Sequence, residues 1–464
     1  MESIALHNLG CKVNGYEMEI MQQMLSEKGY KIVPFEEKAD IYIVNTCTVT
    51  NIADRKSRQM LHRAKKLNPK AIVVAVGCYV QTGKDAIEKD SAIDLVIGNN
   101  RKKDVVEILE EYLDTLKNGV RPLDKSLNNR TVIDINVDNE YEEMRSSLTM
   151  AANEAAPQGR ENAKTVTDNL WEGARTRAYI KIQDGCNQFC SYCIIPYARG
   201  RVRSRREEDI LAEASEIVKR GCKEVVLTGI HISSYGVDRG ESELLQLLHK
   251  LNDIEGLRRI RLGSLEPGIV TEEFVKEIAA LNKVCPHFHL SLQSGCDETL
   301  RRMNRHYTTG EYLEKVDILR KYFQGAAITT DVIVGFPGET DEEFECTEKF
   351  LDRVHFYEMH IFKYSQRQGT RAASMEHQIP DEVKSERSNR LIKLESRLSE
   401  EYRQGYIGRE LEVLFEEAKE INGHIYQIGH TREYVKVALE TAEDLSNQIR
   451  AKRVTGFLTK DILM

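Results

Sequence analysis

No run of about 18 apolar residues occurs in this 464-residue chain, so no membrane-spanning helix is expected. The opening MESIALHNLG lacks the basic start and long apolar centre of a secretory leader, and the protein is expected in the cytoplasm. A reducing compartment disfavours disulfides, so the ten cysteines point to metal binding or catalysis. Net positive charge is also lacking. At a formal charge of −8, a nucleic-acid partner must be met by local basic patches rather than by a global field. The single tryptophan, Trp171, stands where a long polar stretch ends and order is expected to resume.

Against these absences stands one dense motif. Cys186, Cys190 and Cys193 lie in Gly-Cys-Asn-Gln-Phe-Cys-Ser-Tyr-Cys, a C-x-x-x-C-x-x-C spacing. Three thiolates so close together can wrap three irons of a 4Fe-4S cluster. No fourth cysteine follows at ferredoxin-like spacing, which leaves one iron open to a small molecule and suggests reactivity more than electron storage.

The chain divides into four parts. Residues 1–117 alternate apolar strands (3–7, 40–45, 71–76, 94–97) with helical patterns (16–28, 52–66, 82–90, 103–117), which predicts an α/β domain with an open parallel sheet. Cys11, Cys47 and Cys78 each follow one of its strands. Loops past the carboxyl ends of such strands gather along one edge, so these distant cysteines are expected to converge as a second metal site. Residues 118–172 are polar and weakly patterned and read as a linker or insertion, with one possible edge strand at 131–137. Residues 173–402 hold six strand-helix units (strands at 177–182, 224–228, 258–262, 287–292, 327–334 and 356–362), a partial (β/α)6 barrel whose site lies at the carboxyl ends of its strands. A long helix is predicted at 381–404. Residues 403–464 read as short strands with Gly and Asn turns, a small OB-like β-barrel.

Two basic runs qualify as patches. Residues 55–70 hold seven Lys or Arg and no acid, and 199–206 hold five Arg and no acid. Each is either a solvated face or a ligand contact. The second directly follows the cluster loop, so Arg199, Arg201 and Arg203 are expected to help hold a nucleic acid or the molecule bound at the cluster. The last 63 residues are nearly balanced, with nine basic and ten acidic residues, and offer only Arg450, Lys452 and Arg453 as a patch.

The cluster loop, the partial barrel and the rim position together resemble the radical S-adenosylmethionine superfamily. The resemblance implies that S-adenosylmethionine chelates the open iron and is cleaved to a 5′-deoxyadenosyl radical, the cofactor carrying the hard chemistry. It also implies cofactor contacts at Thr228 and Gly229 on the second barrel strand and at Gly335, Phe336 and Pro337 after a later strand. Further candidates are Ser264, Glu266, Gln293 and Ser294, with structural capping as the alternative for each, and Tyr192, which would pack either on the adenine or within the cluster loop. The four remaining cysteines, Cys222, Cys285, Cys296 and Cys346, lack ligand spacing, and His231, His287 and His289 read as core or surface residues.

With its second cysteine set, the domain order resembles the methylthiotransferases, over nearly the whole chain except 118–172. That family implies two 4Fe-4S clusters, one on Cys11, Cys47 and Cys78 and one on Cys186, Cys190 and Cys193, and a terminal TRAM module that helps bind RNA. The stretches LGCKVN, NTCTVTNIADRKSRQ, CNQFCSYCIIPYARGR, HLSLQSGCDETLRRMNR and FKYSQRQGTRAASM are similar to the branch acting on threonylcarbamoyladenosine in tRNA. The branches acting on isopentenyladenosine and on a ribosomal protein tend to read Gly-Cys-Gln-Met-Asn and Gly-Cys-Pro-Lys-Asn. The implied partners are tRNA, an electron donor of the flavodoxin or ferredoxin kind, and a sulfur source or Fe–S assembly protein. The readings left open are a different methylthiotransferase substrate, or an Fe–S nucleic-acid-binding or redox-sensing protein without turnover.

Overall fold

The computed structural model describes residues 2–119, 124–127, 129–136, 140–144 and 176–464. Strands β1 (Ser3–Asn8), β2 (Lys31–Val33), β3 (Ile41–Thr46), β4 (Ile72–Gly77) and β5 (Leu95–Ile97) form a parallel sheet in the order β2-β1-β3-β4-β5. Central β3 is buried along its length, as an inner parallel strand covered on both faces should be. Its alternate residues serve two cores: Ile41 and Ile43 pack with Met21, Leu25 and Leu109, while Tyr42 and Val44 pack with Leu61 and Ala64. β2, a three-residue edge strand, was too short to leave a sequence pattern.

The predicted strand at 131–137 does not form over residues 131–136, and Val137 lies outside the described residues. The chain there runs irregularly along β5 instead. Gly98 N–H donates to the Thr131 carbonyl (2.7 Å), and the Thr131 hydroxyl donates to the Val96 carbonyl (2.6 Å). Leu127, Val132, Ile135 and Met144 are buried, so this part of the predicted linker is integrated into the core. Trp171 and the polar run 150–165 lie outside the described residues.

The central part contains β6 (Arg177–Asp184), β7 (Arg203–Ser204), β8 (Glu224–Gly229), β9 (Arg259–Leu262), β10 (His287–His289), β11 (Ala327–Val334) and β12 (Glu358–Lys363). β6-β8-β9 and β10-β11-β12 are parallel ladders, linked by parallel bridges such as Leu265–Leu290, and β7 adds an antiparallel strand outside β6. Ile180, Leu227, Ile260, Phe288 and Ile328 form the core under the surrounding helices. Alternation turns Lys181, Gln183, Arg261, His289 and Asp331 to the opposite, inner side, so the barrel interior is polar.

After the helix Asp381–Gln404, strands β13 (Glu410–Ile421), β14 (His424–His430), β15 (Lys436–Glu440), β16 (Ile449–Arg453), β17 (Phe457–Thr459) and β18 (Ile462–Leu463) form a sheet in the order β16-β13-β14-β15-β18-β17. Its two edge strands are joined by only residues 454–456, so the sheet must curl. Its 430–435 loop is seated against the start of the barrel strands. Arg177 Nη1 donates to the Tyr434 hydroxyl (2.5 Å), Arg261 lies 4.7 Å from the Tyr434 ring centroid, and Arg259 and Arg261 donate to the carbonyls of His430 and Arg432 (both 2.9 Å). No helix among the described residues is long and apolar enough to cross a membrane.

Candidate active site

The compact cysteine loop begins where β6 ends. Gly185 turns the chain at φ +72°, and a Cβ there would fall 1.8 Å from the Arg201 carbonyl oxygen, so only glycine fits. Cys186 N–H then donates to the Gly200 carbonyl (3.0 Å), and Cys193 N–H donates to the Cys190 carbonyl (3.0 Å). The segment 302–305 holds the loop from behind: Ser191 Oγ donates to the Arg302 carbonyl (2.9 Å), Ser191 N–H to the Met303 carbonyl (2.9 Å), and Asn304 Nδ2 to the Phe189 carbonyl (3.2 Å). Arg305 Nη1 donates to Cys190 Sγ (3.2 Å), and Gln188 N–H points to Cys186 Sγ (3.5 Å). Donors aimed at sulfur suit thiolates bound to a cluster. Burial pushes the free thiols of Cys186 and Cys193 up to about 11 and about 12, so binding of positive iron would have to displace their protons.

The other set is assembled by topology. Cys11, Cys47 and Cys78 follow β1, β3 and β4, which are neighbours in the sheet. Gly10 (φ +108°) makes the approach possible, since a Cβ there would lie 2.9 Å from Cys47 Cβ and 3.0 Å from Cys47 Sγ. Burial pushes the Cys47 thiol up to about 11, and Cys78 and Cys11 are close enough to raise it further. Asn99 Nδ2 donates to Cys78 Sγ (3.4 Å) and to the Ala198 carbonyl (2.7 Å), bridging this set to the end of the other loop. Each set therefore offers three convergent sulfurs with polar donors, a fit for a three-cysteine 4Fe-4S site.

A cavity of about 320 Å³ opens onto the first set, and Cys11, Cys47 and Cys78 are not part of its wall. Cys186, Cys190 and Cys193 line it together with Val49 and Thr50, which directly follow the Cys47 loop. A larger groove of about 830 Å³ lies between the start of β6 and the C-terminal sheet, but no cysteine lines it, so chemistry and not size marks the site.

Of the other candidates, Tyr192, Glu266 and Gln293 line the cavity. Glu266 accepts both Arg305 Nη2 bonds (2.9 and 3.0 Å) and stands 3.5 Å from His231 Nε2. Burial pushes its carboxyl up, but the His231 hydrogen bond and the Arg305 charge outweigh this and hold it below the usual range. Thr228, Gly229, Ser264, Ser294, Gly335, Phe336 and Pro337 are not part of the cavity wall. Ile230 and His231 reach it in place of Thr228 and Gly229, and Ile333 in place of the Gly335 turn. Gly335 N–H donates to Glu339 (2.6 Å), which pairs with Arg387 (2.7 Å), and Phe336 is sealed among Met303, Tyr364 and Ala372. Ser294 Oγ shares a hydrogen bond with Thr347 (3.2 Å) in the core, and Ser264 is exposed. Arg305, Asp331 and Tyr364 also belong to the wall. Sequence reasoning missed them because nothing local in Arg-Met-Asn-Arg, Thr-Asp-Val or Lys-Tyr-Ser distinguishes a wall residue.

The expectation for the 199–206 run is corrected. Arg199 and Arg203 are 0% and 4% exposed, and neither is free to hold RNA. Arg199 joins Asn14 (2.5 Å), Glu17 (2.9 and 3.0 Å) and Asp184 (3.0 and 3.1 Å), while Lys102 and Lys181 also close on Glu17 (2.6 and 2.7 Å). Arg205 pairs with Glu143 and Glu213. These arginines fasten the N-terminal sheet to the cluster loop. Of Arg199, Arg201 and Arg203, Arg201 alone is exposed, stacked 4.5 Å over the Phe189 ring. By contrast, Arg55, Lys56, Arg58, Arg63, Lys66 and Lys70 stay exposed, on or just past the helix Asn51–Leu67 that starts beside the cavity.

A profile of the radical SAM superfamily matches residues 180–351, and one described as "Uncharacterized protein family UPF0004" matches residues 3–98. The threonylcarbamoyladenosine tRNA methylthiotransferase MtaB of Bacillus subtilis is 39% identical, over 97% of this chain and 93% of its own length. The tRNA-2-methylthio-N(6)-dimethylallyladenosine synthase of Thermoanaerobacter pseudethanolicus is 38% identical, over 89% and 81%. Among solved structures, the radical S-adenosylmethionine methyltransferase TsrM of Kitasatospora setae superposes with a TM-score of 0.53 at 15% identity, over 78% of this chain and 73% of that one.

Proposed function

The chain belongs to the radical S-adenosylmethionine methylthiotransferase family, and on that premise we propose that it methylthiolates carbon 2 of threonylcarbamoyladenosine, next to the anticodon of tRNA. The observation that carries the reading is the cavity lined by Cys186, Cys190 and Cys193 together with Val49 and Thr50, two and three residues past Cys47. An aromatic C–H bond resists removal by a side-chain base. A radical generated at this cavity and a sulfur source held near it would meet that difficulty. When bound, the two clusters and two S-adenosylmethionine molecules would supply the radical, the methyl group and the sulfur.

The protein's own residues hold and orient. Cys186, Cys190 and Cys193 would carry the radical-generating cluster, and Cys11, Cys47 and Cys78 the auxiliary one. Arg305 fixes Cys190 and Glu266 together, and Glu266 with His231 offers a buried anionic face for an ammonium group. Tyr192 and Ile333 give apolar walls that exclude water. The exposed basic helix Asn51–Leu67 is suited to the phosphates of a tRNA stem, since phosphate contacts position the substrate without reading bases. A cytoplasmic setting, a flavodoxin- or ferredoxin-type electron donor and a sulfur source or Fe–S assembly partner complete the proposal.

Nucleoside mass spectrometry of tRNA from cells with and without the gene tests it. The expected result is loss of the methylthio mass from threonylcarbamoyladenosine alone. Loss of that mass from dimethylallyladenosine, or from neither nucleoside, overturns the assignment.

A further inference from the structure

Inside the central barrel, and distinct from both cysteine sets, three metal-ligating side chains converge. His289, Asp331 and His360 each offer one ligand atom, and these atoms all lie within 4.8 Å of one another. They come from the neighbouring parallel strands β10, β11 and β12. Register explains the meeting: His289 is opposite Thr329, and Asp331, two residues on, is opposite His360. Strand residues that are opposite, or two apart, share a face, so all three stand on the inner side of the barrel.

The spacing differs from that of a hydrogen-bonded pair. His289 Nε2 stands 3.5 Å from Asp331 Oδ2, beyond ordinary hydrogen-bond length. Ligands held about 2.0–2.2 Å from a tetrahedral ion lie about 3.3–3.6 Å apart, so the observed separation is the edge such an ion needs. The other ring nitrogen is already engaged: His289 Nδ1 shares a hydrogen bond with Thr329 Oγ1 (3.0 Å), which leaves Nε2 toward Asp331. Metal-bound histidines are oriented in this way through their second nitrogen. Among the described residues the Asp331 carboxylate accepts no hydrogen bond and forms no ion pair except with His289. Two cations on the same inner side have carboxylates of their own, Arg261 with Glu224 (2.7 Å) and Arg177 with Glu416 (2.9 Å). His360 stacks on His289 with ring centroids 5.9 Å apart, and it is exposed. Its strand β12 is the edge of the 3-stranded ladder, so an ion can enter past this ring.

We propose that His289, Asp331 and His360 form a mononuclear site for a divalent transition-metal cation, separate from the two cluster sites. Two imidazoles and one carboxylate suit zinc and its neighbours in the first transition row, whereas magnesium and calcium take shells of oxygen. Three protein ligands leave a coordination position open. Asp331 also lines the cysteine cavity, so that position is available to water or to an oxygen group of the molecule held there. Binding is a property of these three residues and does not depend on which nucleoside the protein modifies.

The test uses protein with both clusters loaded, so that the cluster cysteines are occupied, dialysed to equilibrium against buffered zinc. Elemental analysis reads zinc and iron together. Wild type is expected to hold one zinc per chain with its iron unchanged, and X-ray absorption at the zinc edge to show imidazole nitrogen and no sulfur. His289→Ala and Asp331→Asn are expected to weaken zinc binding by at least about tenfold to hundredfold, the range for losing a group that merely orients a ligand. Thr329→Val removes such a group and falls within that range. His360→Ala should weaken binding as the other ligand variants do, and at an exposed position it leaves the packing intact, so the proposal stays refutable even where another variant fails to load iron. Absence of zinc on iron-loaded wild type, zinc bound through sulfur or at the expense of iron, or unchanged affinity in His360→Ala each overturns it.

Discussion

The two cysteine sets present the same three thiols by opposite constructions. Cys186, Cys190 and Cys193 lie within eight residues of one loop, shaped by Gly185 and backed by Ser191 and Asn304 bonds to the 302–305 segment. Cys11, Cys47 and Cys78 come from three strand ends and approach only because β1, β3 and β4 are adjacent and Gly10 carries no side chain. The first site is local and is set by one loop. The second is tertiary and depends on the sheet and on whatever fastens that sheet to the barrel. A site written compactly in sequence and one dispersed over the fold can be held side by side, here by Asn99 bonded to the Ala198 carbonyl and by Arg199 paired with Glu17.

The sharpest way to break the comparison is to remove one sulfur from each set. Cys186→Ala is expected to abolish formation of 5′-deoxyadenosine, whereas Cys47→Ala spares part of it and abolishes methylthio product; chromatography and nucleoside mass spectrometry read the two. Identical behaviour of both variants would discard the separate roles. Gly10→Ala should act like the tertiary set alone, lowering iron from about eight to about four per chain by cluster stoichiometry.

Legibility in sequence followed the same division. The cluster loop could be read from spacing, and the N-terminal set from the alternation of strands and helices, because each strand end carried its cysteine. Membership of the cavity wall could be read only in part: Tyr192, Glu266 and Gln293 line it, whereas Thr228, Gly229, Ser264, Ser294 and the Gly335 turn do not. Arg199 and Arg203 looked like a basic surface because a run of arginines shows its charge, while the acids that bury it, Glu17 and Asp184, lie elsewhere in the chain. Arg305 and Asp331 became wall residues only through barrel closure. The same holds for residues 131–136, whose apolar alternation suggested a strand but whose Val132 and Ile135 bury without a ladder.

The fastening itself gives the next prediction. Glu17 accepts Lys102, Lys181 and Arg199 at 2% exposure, so Glu17→Gln leaves buried cations uncompensated. A loss of about 3–5 kcal/mol is expected in denaturant unfolding, as for a buried pair that loses one partner. Burial pushes the Glu17 carboxyl up, but Arg199, Lys102 and Lys181 outweigh it and hold it well below the usual range. Its stabilisation is therefore complete above the ordinary carboxylate pKa of about 4 and is lost as pH falls toward the depressed value. Glu17→Gln should flatten that acid limb. An unchanged unfolding midpoint would show that the two sets are not held together by this network.

Glu142 offers a smaller and opposite effect beside the same network, where it borders a pocket with Glu17, Lys181, Asp184 and Arg203. Burial raises its carboxyl to about 7, against the attraction of Lys103, Arg203 and Lys181. With the folded pKa above the unfolded one, its contribution is full below about pH 4 and declines as pH rises through about 7. Between pH 5 and 8 wild type should lose on the order of 1 kcal/mol relative to Glu142→Gln, once solvent screening is allowed for. Paired unfolding curves across that window measure it. A wild-type curve that instead gains on Glu142→Gln with rising pH would mean that Glu142 is ionised in the fold and counted among the acids that offset the buried cations. The connection between the cysteine sets would then rest on three carboxylates rather than on Glu17 and Asp184 alone.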